Sequence, residues 1–193
     1  LLDMCAGPGG KTALLAAVAA QRGGAVLATE QHHHRSRLVA TAIADADLQT
    51  TATAVQADAR QGPWAPATFG RVLLDAPCTG LGALRRRPEA RWRRRPDDLT
   101  RLVPLQRELL AAGIEALAPG GLLAYVTCSP HTEETVGVVE AVLATRRDVS
   151  VEAAPALLPG VPDAARGPYV QLWPDRHGTD AMFLALLRRT RGR

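Results

Sequence analysis

Two cysteines stand where chemistry is possible. Cys78 lies in Asp75-Ala76-Pro77-Cys78-Thr79-Gly80, after the apolar run Val72-Leu73-Leu74, and Cys128 in Thr127-Cys128-Ser129-Pro130, after Leu122–Val126. A thiol acts as nucleophile or base only as thiolate, which nearby cations and helix N-termini favour. Cys128 precedes a helical pattern over Glu133–Thr145, with Thr132 as its expected N-cap. The helix dipole would favour thiolate there, whereas Glu133 and Glu134 in the first turn oppose it. A lone cysteine is ordinarily a small buried hydrophobe, which suits Cys5. Two thiols at two strand ends, each beside a proline that turns the chain, would face one cleft if the strands are adjacent, which a passive buried role does not call for.

A second group surrounds a glycine loop, Cys5-Ala6-Gly7-Pro8-Gly9-Gly10-Lys11-Thr12, which follows one apolar run and opens a helix. Glycines let backbone approach a ligand, and the helix start offers free N–H groups. Gly10-Lys11-Thr12 imitates the end of a phosphate-binding P-loop, and Val72–Asp75 imitates a Walker B strand, but Cys5 stands where that motif requires its first glycine. An adenosine-type cofactor fits better: Glu30, at the end of the second strand, could take ribose hydroxyls, and Asp58, after the third, could face an adenine edge. Either acid alone is more often a strand end or a helix cap; their joint placement favours the cofactor.

The elements that must carry these residues alternate. Strands are expected at Ala25–Glu30, Thr53–Ala57, Val72–Asp75, Leu122–Thr127 and Ala181–Leu187, and helices at Lys11–Gln21, Arg35–Ala46, Leu102–Ala118 and Glu133–Thr145. Pro119-Gly120-Gly121 would end a helix, and Ala153–Asp180 reads as a long loop. Near-continuous apolar strands between helices indicate an α/β domain with a mostly parallel sheet covered by helices on both faces. Ligands of such sheets sit beyond the carboxyl ends of the strands, where every residue singled out above falls. The 193 residues suit one such domain. Leu1–Cys5 reads as a strand already under way, so a missing N-terminal part is expected.

The net charge of +4 is uneven. Eight arginines face Glu89, Asp97 and Asp98 within Ala83–Arg101, so this stretch carries +5 and the remainder −1. Arg85, Arg86, Arg87, Arg91 and Arg93 are candidate phosphate contacts, Trp92 a candidate base stack, and Arg188, Arg189, Arg191 and Arg193 a weaker basic tail. Lys11 is the one lysine among 23 basic residues, and it lies in the glycine loop. No apolar run is long enough for a membrane-spanning helix. Three cysteines without a CxxC pair offer neither a disulfide framework nor a zinc ribbon. His32-His33-His34 has no partner at ligand spacing, so no metal is expected. A reducing, cytoplasmic setting follows.

Together, Leu2–Thr12, Asp75–Gly80 and Thr127–Pro130 resemble the motifs of RNA 5-methylcytosine methyltransferases, nearest the bacterial small-subunit ribosomal RNA methyltransferase B (RsmB/Fmu/Sun) family. Pro88–Trp92 and Gly178–Phe183 agree. In departures, Glu30 replaces the usual Asp, Ala6-Gly7 the commoner Ala-Ala, and Ala181-Met182-Phe183 the common Gly-Phe-Phe. The family's N-terminal RNA-binding region is expected to be the part missing before Leu1. The resemblance implies a Rossmann-like class I fold with a seven-stranded sheet whose last strand is antiparallel. It implies S-adenosylmethionine as methyl donor, held by Cys5 to Lys11, Glu30, Asp58 and Asp75. Cys128 would be the nucleophile on a cytosine of small-subunit (16S) ribosomal RNA, Cys78 would serve the release step, and Asp75 would stabilise charge at ring N3 and the exocyclic amine. Lys11 would stabilise a thiolate or a bound anion. The enzyme would act as a monomer with RNA as partner. Alternatives are a tRNA cytosine-5 methyltransferase of the same fold and a catalytically idle RNA-binding module of ribosome assembly.

Overall fold

Apolar runs with little side-chain polarity can be buried on both faces of a sheet only if helices cover both, and the chain follows that logic. The computed structural model describes residues 1–190. In chain order the elements are β1 (Leu2–Met4), α1 (Gly10–Ala20), β2 (Val26–Glu30), α2 (His33–Asp45), β3 (Ala52–Gln56), β4 (Phe69–Asp75), α3 (Ala90–Arg93) and α4 (Asp97–Ala116). They continue with β5 (Leu117–Thr127), α5 (Val136–Leu143), β6 (Val149–Glu152), β7 (Ala165–Arg166), β8 (Tyr169–Gln171), α6 (Pro174–His177) and β9 (Phe183–Arg189).

The sheet order is β3-β2-β1-β4-β5-β9-β8-β7, with β6 also on β9. Strands β1 to β5 pair in parallel and β9 runs antiparallel to β5. This is the expected Rossmann-like α/β architecture with an antiparallel last strand. Nine strands are present among the described residues, where seven were expected. The difference lies beyond β9: β6 pairs with its second half, Leu186–Arg189, and β8 with its start, Phe183–Leu184. The stretch Ala153–Asp180, expected as a loop, thus contains the β7–β8 hairpin and α6.

Alternation along β5 separates the two faces. Leu123 and Tyr125 join the larger core with Leu2, Met4, Leu74, Leu110, Ile114, Val138 and Phe183, while Leu122 and Ala124 pack on the β8 side with Val170 and Leu186. A further cluster joins β2 to α1 and α2 through Ala16, Ala28, Val39 and Ile43.

Two element boundaries differ from the sequence reading. Helix α4 starts at Asp97 rather than Leu102, with Asp97 and Asp98 in its first turn, where the dipole favours acids, and it carries Pro104 inside. Pro119-Gly120-Gly121 does not lie outside an element: it is a register shift within β5, and β4 pairing passes from Leu117 directly to Leu122. Gly121 is required there, because a Cβ would stand 2.8 Å from the Ala118 carbonyl oxygen. Among the described residues, no helix is long and apolar enough to cross a membrane.

Leu110 is fully buried between α4 and the sheet. Leu110→Ala is expected to cost about 2–5 kcal/mol of unfolding free energy, read as a lower urea midpoint at unchanged slope.

Candidate active site

The carboxyl ends of β1 to β5 border one cleft of about 490 Å³, a size that holds a cofactor-scale ligand. Its floor is the glycine loop. Ala6 is buried and donates its N–H to the Thr29 carbonyl at 2.8 Å. Gly9 has φ 111°, and a Cβ there would lie 2.8 Å from Ala42 Cβ and 2.9 Å from Val39 Cα, so only glycine lets the loop reach α2. A Cβ on Gly7 would meet Glu30 Oε2 at 2.5 Å. Pro8 lines the cleft and Gly10 starts α1.

Glu30 is buried and does more than mark a strand end. It accepts from Gly7 N at 3.2 Å and His32 N at 3.0 Å, and pairs with Arg35 Nε at 3.3 Å. Arg35 Nη2 donates to the Gly7 carbonyl at 2.7 Å. The longer side chain, compared with the family's usual aspartate, therefore braces the loop backbone while still lining the cleft. Asp58 also lines the cleft, caps the following turn through Arg60 N, and pairs with the Arg60 guanidinium at 2.6 Å. That hydrogen-bonded guanidinium holds the Asp58 carboxyl below the usual range. Lys11 crosses to Asp75, with Nζ 2.7 Å from Oδ2, so its charge is met by an acid of the cleft.

The two expected thiols meet: Cys78 Sγ and Cys128 Sγ are 3.5 Å apart, both on the cleft. The hydrogen bond between the two thiols lowers Cys128 to about 7, and the same bond, burial and then the charges of Cys128 and Glu134 push Cys78 up. Cys5 also lines the cleft but is a neutral thiol, pushed up to about 12 by burial and then by Glu30.

Thr132 is not an N-cap. Thr132–Glu134 form a single 3-10 turn capped at His131 without a side-chain bond, and the Thr132 hydroxyl accepts from Arg166. This turn swings Glu134 inward, where its carboxylate accepts from Thr79, Ser129 and Gln106. Sequence reasoning placed Glu134 on a helix start and missed this role, because only the break before α5 decides which way it faces. Gly82 was missed as well: its N–H donates to the Cys128 carbonyl at 3.0 Å, and a Cβ would stand 2.2 Å from the Ala181 carbonyl oxygen.

The arginine segment divides. Arg85 and Arg86 both bind the buried Asp180, at 2.9 Å from Arg85 Nε and 2.8 Å from Arg86 Nε. Arg86 first and Arg85 second hold that carboxyl below its usual range. These two anchor the segment to the loop before β9. Arg87 and Arg94 reach the cleft, and Arg94 also lies 3.9 Å from Asp98. Arg91, Trp92 and Arg93 sit on α3, exposed and outside the cleft lining. Arg188 and Arg189 are not a basic tail but members of β9, engaged with Glu152, Asp148 and backbone carbonyls. Arg191 and Arg193 lie outside the described residues. Among the described residues no three His, Cys, Asp or Glu side chains gather as metal ligands.

A family profile described as "16S rRNA methyltransferase RsmB/F" matches residues 1–188. A putative methyltransferase of Mycobacterium tuberculosis strain H37Rv is 52% identical over 188 residues, covering 97% of this chain and 40% of that protein. Ribosomal RNA small subunit methyltransferase F of Serratia proteamaculans is 35% identical, covering 98% and 40%; methyltransferase B of Vibrio cholerae is 35% identical, covering 97% and 41%. The chain thus spans about two-fifths of the length of these relatives. Among solved structures, NSun6 from Pyrococcus horikoshii with SFG superimposes at a TM-score of 0.84 with 29% identity, covering 99% of this chain and 48% of that one.

Below the glycine loop, Asp3 is buried and accepts from the Thr12 hydroxyl at 2.6 Å, while its Oδ1 has no partner among the described residues. Burial raises its carboxyl from 3.8 to about 6. Between those values the folded protein keeps a proton that the unfolded chain releases. The stability this proton supplies is complete below about pH 4 and is lost as pH rises through about 6. Asp3→Asn is neutral throughout, so its melting temperature relative to wild type is expected to rise across that window. A difference that stays constant with pH contradicts the assignment.

Proposed function

Because the chain belongs to the 16S rRNA methyltransferase RsmB/F family, we propose that it is the catalytic domain of an S-adenosylmethionine-dependent enzyme that methylates carbon 5 of a cytosine in small-subunit ribosomal RNA, in the cytoplasm. The observation that carries the reading is the pair of sulfurs, 3.5 Å apart, on the same cleft as the glycine loop and its acids.

The cleft suits the donor. Glu30, Asp58 and Asp75 line it, a set that accepts from hydroxyl, amino and ammonium groups and repels a triphosphate. Lys11, the residue that a P-loop would turn to phosphate, is committed to Asp75. A related structure was solved with SFG, an analogue of S-adenosylmethionine. Cys5 to Lys11, Glu30, Asp58 and Asp75 would hold the cofactor, which supplies an electrophilic methyl group when bound.

Carbon 5 of cytosine is a poor nucleophile, and the thiols address that. Cys128 adds as thiolate to carbon 6, forming an S–C bond and shifting the ring electron pair toward carbon 5. A proton passes from Cys78 to ring N3 by way of Asp75, which leaves Cys78 as thiolate. Once carbon 5 carries the methyl group, Cys78 takes the carbon-5 proton. The carbon 5–carbon 6 double bond re-forms, Cys128 leaves as thiolate and the N3 proton passes to water. The target base must leave its stack to reach the cleft. Arg87 and Arg94, at the rim, would meet its flanking phosphates, with Arg91, Arg93 and Trp92 further out and Arg85 and Arg86 holding the segment in place.

The test is transfer from labelled S-adenosylmethionine to unmodified 16S rRNA and to tRNA, with mapping of the modified cytosine. Cys128→Ala is expected to abolish product, and Cys78→Ala to accumulate a protein–RNA adduct on a denaturing gel. Normal turnover by both variants would refute the two-thiol mechanism. S-adenosylmethionine, not ATP, should raise the melting temperature. Arg87→Gln with Arg94→Gln should weaken RNA binding and lower the slope of log affinity against log salt by about one to two.

A further inference from the structure

Glu134 has no task in the chemistry above, yet it is fully buried between the two cysteine loops. Its carboxylate accepts from Thr79 N at 2.8 Å, Thr79 Oγ1 at 2.5 Å, Ser129 Oγ at 2.6 Å and Gln106 Nε2 at 3.1 Å. Thr79 directly follows Cys78 and Ser129 directly follows Cys128, so one carboxylate grips the next neighbour of each thiol. Gln106, from α4, also donates to the Pro77 carbonyl at 2.8 Å, bracing the Cys78 loop from its other side. The Tyr125 hydroxyl donates to the Glu134 carbonyl at 2.8 Å and fixes the turn that aims the side chain.

All four donors are uncharged. A buried carboxylate without a cation is costly, and a neutral amide or apolar packing would join two loops more cheaply. The charge therefore calls for a use. Glu134 takes two of its four hydrogen bonds from Thr79, beside Cys78, and one from Ser129, beside Cys128, and Asp75 and Asp180 are the other acids acting on the pair. The Tyr125 hydroxyl faces Cys78 and the Arg86 guanidinium faces Cys128. Asp75 is paired with Lys11, and Asp180 with Arg85 and Arg86. Glu134 has no salt-bridge partner among the described residues, so the uncompensated negative charge is the one bonded twice to the residue after Cys78.

We propose that Glu134 is a positioning residue that gives the two thiols their separate roles: its unpaired carboxylate keeps the shared proton on Cys78, and its four hydrogen bonds hold both loops so that Cys128 is the nucleophile. The inference rests on the two-thiol reading above. It also accounts for the release step, since a thiol whose proton is held tightly becomes a strong base once it has lost it. The raised Cys78 and lowered Cys128 agree in direction.

The test is alkylation of the intact chain by iodoacetamide near neutral pH, without RNA or methyl donor, with each cysteine followed by mass spectrometry. Wild type should modify Cys128 well ahead of Cys78. In Glu134→Gln that preference should fall about tenfold or more, because each unit of relative thiol acidity changes the thiolate ratio tenfold. Equal reactivity in wild type, or an unchanged preference in a Glu134→Gln variant with wild-type circular dichroism, overturns the proposal. If Glu134→Gln does not fold, Ser129→Ala keeps the charge and removes one grip. It should retain the alkylation order and lower kcat about tenfold at unchanged KM for S-adenosylmethionine, since it loses one hydrogen bond to a charged group; wild-type kcat overturns the proposal. Alkylation needs no substrate, so it judges Glu134 by itself. The two-thiol reading fails separately, if Cys128→Ala still forms product.

Discussion

The parallel pairing of β4 with β5 sets everything else in the site. Its register places Asp75 opposite Val126, so both strands release their chains at the same level. Cys78 leaves one strand and Cys128 the other, and two thiols 50 residues apart in sequence come to 3.5 Å. A slip of one residue would turn one strand's side chains to the other face of the sheet and offset the two cysteine loops from each other. The register is protected by burial of one face: Leu74, Leu123 and Tyr125 are fully enclosed in the larger core. The bulge at Pro119–Gly121 absorbs the irregularity at the far end of β5, away from the chemistry.

Around that pairing, charge is disposed by depth. Around the thiol pair, buried acids are met either by an arginine reaching inward, as Asp180 is by Arg85 and Arg86, or by a ring of neutral donors, as Glu134 is. The first arrangement fastens the arginine-rich segment over the cleft. The second ties the two thiol loops while leaving a negative charge beside Cys78. Glu30 is intermediate: it accepts backbone N–H groups of its own cleft and shares Arg35 with the Gly7 carbonyl. The basic excess of Ala83–Arg101 is thus partly structural. Two of its arginines hold the fold together, and Arg87 and Arg94 are left at the cleft rim where a polyanion would arrive.

The glycine loop shows the same economy. Its glycines are not interchangeable: Gly9 is fixed by its positive φ and by α2, Gly7 by Glu30, while Gly10 has open space where a Cβ would be. The loop is pressed between β2 and α2, and that pressing brings the acid at the end of β2 into contact with the cleft floor. Lys11 then leans out of the first turn of α1 to Asp75, linking the cofactor side of the cleft to the thiol side.

The amino-acid sequence by itself determined the alternation of strands and helices, the parallel sheet with both faces covered, and the positions of Cys78, Cys128, Asp75, Glu30, Asp58 and the glycine loop at strand ends. Periodicity and turn residues are local signals, and strand ends are where an α/β sheet puts its ligands. Tertiary structure alone decided the rest. Glu134 looks like an exposed first-turn acid until the 3-10 turn before α5 directs it inward. Arg85 and Arg86 look like free phosphate ligands until Asp180, 95 and 94 residues away, claims them. Arg188 and Arg189 look like a tail until β9 pairs with β5 and β6. The physical reason is common to all three: a charged side chain takes the nearest partner that burial leaves unsatisfied, and that partner is set by packing between distant segments rather than by neighbours in the chain.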